Sequence, residues 1–157
     1  MNLAKSFGID PNKLRTRTFE YNGQKFTVRV PLAHEAEEMF KKSENPSDEL
    51  INEKYQELTK DLQSKKDDIK EISDDIVFKD DDILIGDKSM REMAKNQAGT
   101  EIRIVEAFKL LVPIDGTDFG QLTYKEINDE IPLPIQLNLV KKIVEVISPS
   151  YEETRKN

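Results

Sequence analysis

Thr16-Arg17-Thr18-Phe19-Glu20-Tyr21-Asn22-Gly23-Gln24-Lys25-Phe26-Thr27-Val28-Arg29-Val30 decides the fold class, because Asn22-Gly23 separates two segments of alternating polarity. Asn and Gly both accept the positive φ that the central residues of a type I′ turn require, so the spacing predicts a two-residue β-hairpin. In that register Tyr21 faces Gln24, Phe19 faces Phe26 and Arg17 faces Val28. Alternation then gathers Phe19, Tyr21, Phe26, Val28 and Val30 on one face. An isolated hairpin is marginal in water, so the rest of the chain has to cover that face.

Downstream, helical periodicity takes over. Pro31 ends the second strand, and Leu32, Ala36, Met39 and Phe40 mark one side of a short helix over 32–43. Asn45-Pro46-Ser47-Asp48 is a helix start, with a capping side chain before a first-turn proline. The helix it opens, over 46–72, is acidic and long. Ile51, Tyr55, Leu58, Leu62, Lys65, Ile69, Ile72 and Ile76 follow four-three spacing, the seam of a coiled coil interrupted once by Lys65. A stripe this narrow needs another helix along it, from the same chain or from a partner. The tentative protein-binding residues are therefore Ile51, Tyr55, Leu58, Leu62, Ile69 and Ile72.

Ile76-Val77-Phe78 and Ile83-Leu84-Ile85 bracket Asp80-Asp81-Asp82 and read as short strands or buried loop anchors. Ser89-Met90-Arg91-Glu92 has capping-box spacing and opens a helix that Gly99 weakens; Thr100 offers a restart, and Pro113 stops the pattern after Val112. A second capping box, Thr123-Tyr124-Lys125-Glu126, begins a helix over 124–130. The last helix, 134–147, carries Leu139, Val140, Ile143, Val144 and Ile147, with Leu137 and Val146 widening its apolar arc. The expected fold is α+β and mainly α-helical: an N-terminal β-hairpin over 15–30, then a helical bundle with one long acidic helix, in a single domain over 1–148. Residues 149–157 read as a flexible tail.

Composition narrows the chemistry. Apolar residues make up 36% of the 157-residue chain against 35% charged, so any core is modest. The net charge of −7 repels a phosphate backbone, which argues against nucleic acid as a partner. The absence of cysteine removes disulfides, thiolate nucleophiles and sulfur-ligated metals. His34, the one histidine, has no second imidazole or thiol to work with and reads as an ordinary helix residue. No apolar run approaches the roughly 18 residues of a membrane span or the core of a signal peptide, so the cytoplasm is the expected address. No glycine-rich phosphate loop is present, and no carboxylate pair declares itself as acid and base. The chain reads as a non-enzyme without cofactors.

Asp115 to Glu126 has the length of a calcium loop. Asp115, Thr117, Gly120, Leu122 and Glu126 fit its first, third, sixth, eighth and twelfth positions, but Phe119 stands at the fifth, where an oxygen ligand is needed. A turn at Asp115-Gly116 followed by the Thr123–Glu126 cap accounts for the same residues.

Three passages together resemble the tail assembly chaperones of long-tailed, siphovirus-like bacteriophages. They are Phe19 to Phe26 leading into Pro31-Leu32-Ala33-His34-Glu35-Ala36-Glu37-Glu38; the acidic helical middle; and Leu122-Thr123-Tyr124-Lys125-Glu126-Ile127 followed by Ile131-Pro132-Leu133-Pro134 and an apolar terminal helix. The resemblance implies a small, mostly helical protein of the host bacterial cytoplasm. Such a protein coats the helical tape measure protein before the tail tube polymerises, self-associates, and is absent from the finished virion. It brings no catalytic residues. The alternatives are an EF-hand-like calcium-binding module and a structural tail or neck protein.

Overall fold

A computed structural model describes residues 3–10, 15–72 and 74–148, and the expected tail at 149–157 lies outside the described residues. The fold is α+β, with 59% of it helical. It forms two compact units, one from Met1–Met39 and Arg103–Asn157, the other from Phe40–Ile102.

In the first unit a single helical turn, α1 (Leu3–Ser6), precedes the hairpin of β1 (Thr16–Tyr21) and β2 (Gln24–Arg29). The pairs are those the alternation requires, Tyr21 with Gln24, Phe19 with Phe26 and Arg17 with Val28. The turn has positive φ at both Asn22 and Gly23. Phe19 and Phe26 stack with centroids 5.3 Å apart. α2 (Ala33–Glu44) follows, and Glu35 ties its start to the hairpin by accepting from the Leu32 amide, Arg29 and Arg15. Those donors, the Leu32 amide foremost, hold the Glu35 carboxyl below its ordinary value.

The hairpin also gains a short third rung. The Arg29 amide donates to Leu110 O, the Val112 amide donates to Thr27 O, and Val28 bridges Leu111. For this reason the helix expected over 89–112 stops earlier, as α5 (Met90–Phe108). Pro113 disfavours helical backbone at Val112, and the hairpin supplies partners for the amide and carbonyl groups so released. α6 (Tyr124–Glu130) and α7 (Leu133–Ile147) complete the unit. Its core joins Val28 to Ile104, Ala107, Phe108, Leu111, Ile127 and the inner side of α7, Leu139, Val140 and Ile143. Arg17, on the packed face of the hairpin, donates to Val146 O, satisfying a carbonyl that the end of α7 leaves open.

In the second unit α3 (Asp48–Ser64) starts one turn-position later than Asn45-Pro46 suggests. Ser47 is the cap, accepting from the Leu50 amide, while the Asn45 side chain turns back to Lys41 O. The single helix expected over 46–72 is two, because Lys65 interrupts it in a non-helical conformation and α4 (Lys66–Ile72) begins again beyond it. Ser64 Oγ donates back to Asp61 O at the break, and Asp67 and Asp68 sit in the first turn of α4, where carboxylates favour a helix start. The segments around the Asp80–Asp82 run form strands β3 (Ile76–Phe78) and β4 (Ile83–Ile85), joined by β5 (Lys88–Ser89) in one antiparallel sheet.

Gly99 does not end a helix; α5 runs through it. A Cβ at Gly99 would stand 2.6 Å from Ser43 O, so the residue is glycine because the C-terminal turn of α2 lies against it.

Candidate protein-binding surface

The α3 seam is occupied by its own unit. Tyr55 is buried with Ile83, Met90 and Ala94, and Ile51, Leu58 and Leu62 pack against that cluster partly covered, with Ile76 and Phe78. Ile69 is partly buried in α4, and the side chain of Ile72 lies outside the described residues. The periodic stripe is thus chiefly the inner face of a helix laid on a small sheet and the first turns of α5.

Polar groups at this face are held in pairs. Lys54, one position from Tyr55, points inward to Glu101 at 2.8 Å, with the two side chains only 11% and 9% exposed. Burial opposes the Lys54 charge, but the carboxylates of Glu101 and Glu57 outweigh it and hold the ammonium above its ordinary value. Burial pushes the Glu101 carboxyl up against the pull of Lys54, and the negative charges of Glu57 and Glu53 add to the rise. Thr59, fully buried, donates to Tyr55 O and accepts from Gln63.

Asp82 organises the start of α5. Its carboxylate accepts from Ser89 Oγ and from the amides of Ile83 and Arg91. Burial alone would raise its pKa; these hydrogen bonds and the Arg91 charge reverse the direction and hold it below the ordinary value. Arg91 then spans the unit: it donates to Asp81 O and Asn52 Oδ1, and its guanidinium lies 4.3 Å from the centroid of the Tyr55 ring.

The broadest apolar opening is on α7. Leu133, Leu137 and Val144 are 46%, 45% and 46% exposed, although the opposite arc of the helix is core. At 3.6 residues per turn these three positions fall within about 40° of one another, so they form one row along the helix. Lys141 and Glu145 flank the row as an exposed pair at 4.0 Å. The sequence carried a signal for this, since Leu137 and Val146 widen the apolar arc beyond what one packed face can cover.

The stretch tested as a calcium loop is built from turns and caps. Asp115 and Gly116 both have positive φ in a turn closed by Ile114 and Thr117. Asp118 accepts from the Gly120 amide, and Glu126 Oε2 accepts from the Thr123 amide and hydroxyl in a complete capping box. Among the described residues no group of three or more His, Cys, Asp or Glu side chains is placed to hold a metal ion. His34 is exposed on α2. Among the described residues no helix is long and apolar enough to cross a membrane.

No family model, curated protein or solved structure matches the chain.

Proposed function

We propose that this chain is a non-enzymatic, protein-binding assembly factor that acts as its sequence resemblance implies, as a tail assembly chaperone holding a helical tape measure protein during phage tail assembly. The observation that carries the reading is the exposed row Leu133, Leu137 and Val144 on a helix whose other side is fully engaged. An apolar row at helical spacing suits another helix laid along it, each apolar side chain entering a gap between those opposite. The α3 seam contributes less than its spacing suggests, because Tyr55 and its neighbours are core. The calcium-module alternative draws no support from Glu126, whose carboxylate is engaged by its own helix cap.

Co-expression with the neighbouring tape measure gene tests this. The chaperone reading expects the long helical chain to stay soluble and to co-purify with this protein, and it expects this protein to be missing from purified particles. A tape measure chain that aggregates unbound beside folded protein, or stoichiometric amounts of this protein in finished particles, would sink it.

A further inference from the structure

Within the second unit a cleft of about 380 Å³ opens beside α3, floored by Tyr55, Phe78 and Ile83. Its rim is basic although the chain as a whole carries a charge of −7. Lys66 lies 5.5 Å from the centroid of the Phe78 ring, Arg91 stands over Tyr55, and Lys79 projects from the end of β3. Among the described residues neither Lys66 nor Lys79 makes an ion pair, and Asp80 is the one carboxylate lining the cleft. Two exposed amides, Gln56 and Gln63, complete the rim and offer both donors and acceptors to a peptide backbone.

We propose that this cleft takes an acidic–apolar peptide segment of a partner protein. An apolar or aromatic side chain lies on Tyr55, Phe78 and Ile83, and a neighbouring carboxylate is met by Lys66 and Lys79. The proposal rests on the protein-binding reading above and names the chemistry of one partner segment. A carboxylate carries a single charge and gains from the local cations, whereas a multiply charged phosphate is opposed by the acidic field of the whole chain. The aromatic floor requires an apolar group next to that charge.

The test is an amide NMR titration of the full chain with a blocked tetrapeptide alternating aspartate with phenylalanine. The same peptide with lysine for aspartate, and inorganic phosphate alone, serve as comparisons. The acidic peptide is expected to shift the amides of Gln63, Phe78 and Lys79, and the lysine peptide is not. The double reversal Lys66→Glu with Lys79→Glu changes two exposed side chains, so the remaining spectrum is expected to hold while affinity falls roughly tenfold. Equal binding of the lysine peptide, unchanged affinity in the double variant, or the same shifts from phosphate alone overturns the proposal. If the acidic peptide fails to bind while the tape measure chain still co-purifies, the cleft assignment falls alone. Peptide binding without co-purification overturns the chaperone reading and leaves the cleft standing.

Discussion

The carbonyl oxygen of Ser43 lies 2.6 Å from the point where a Cβ on Gly99 would stand, so the middle of α5 and the last turn of α2 approach as closely as a missing side chain permits. Helix propensity alone favours alanine over glycine inside a helix by about 1 kcal/mol. Here the close approach to backbone outweighs propensity. Gly99→Ala is expected to destabilise the protein by about 1–3 kcal/mol, the usual cost of overpacking, read as a lower urea midpoint with an unchanged slope. A stabilised Gly99→Ala variant would show that the contact yields freely.

The Lys54–Glu101 pair is buried on both sides, which makes its partners unequal to remove singly and together. Lys54→Met leaves a carboxylate stranded beside Glu57 and Glu53 and is expected to cost about 3–5 kcal/mol. Adding Glu101→Met removes the stranded charge and is expected to restore most of that loss. A double-mutant cycle by urea unfolding checks this; a double variant no more stable than Lys54→Met alone would contradict it.

Asp82 gives the second unit a defined response to acid. Its folded-state pKa lies below the ordinary carboxylate value, so the folded state binds this proton less readily than the unfolded chain does. Its contribution is therefore complete above the unfolded pKa and is lost as pH falls through the folded value. Asp82→Ala orphans Ser89 Oγ and two amides, and is expected to cost about 2 kcal/mol at neutral pH. The gap between wild type and variant should stay level from neutral pH to about pH 5 and close below about pH 4. A gap that widens in acid would show that another group dominates.

Gln136 is fully buried, and its amide nitrogen donates to Ile131 O at 2.6 Å. Gln136→Glu would aim a carboxylate at a carbonyl and bury a charge without a cation. A loss on the order of 3 kcal/mol at neutral pH is expected in thermal unfolding, easing as the new carboxyl is protonated in acid. A variant of unchanged stability at neutral pH would mean that water reaches the site.

Local chemistry made much of the fold legible. Asn22-Gly23 sets the whole hairpin register because turn type and side-chain alternation agree, and the Thr123–Glu126 box marks its helix start to the residue. Information carried through space was hidden. Gly99 reads as a helix weakness until Ser43, distant in sequence, is found against it. Lys54 looks like surface beside the seam until Glu101 meets it from another helix. The end of α5 is likewise set by pairing with Thr27 and Arg29, which no periodicity in 89–112 encodes. The coiled-coil spacing from Ile51 to Ile72 is real, but spacing alone does not distinguish a helix packed at home from one reserved for a partner. The open row on α7 became visible only when the hairpin was seen to cover one side of that helix and leave Leu133, Leu137 and Val144 outside.

Those three side chains bear the functional reading, and half-exposed apolar groups contribute roughly 1 kcal/mol each when a partner covers them. The deciding measurement is the affinity of the purified protein for a helical segment of the tape measure chain, by calorimetry, before and after the combined change Leu133→Gln, Leu137→Gln and Val144→Gln. The expected result is an unfolding midpoint close to that of the wild type with binding weakened on the order of a hundredfold. A folded triple variant that binds the segment as tightly as the wild type would contradict the assignment of this row as the partner-binding surface.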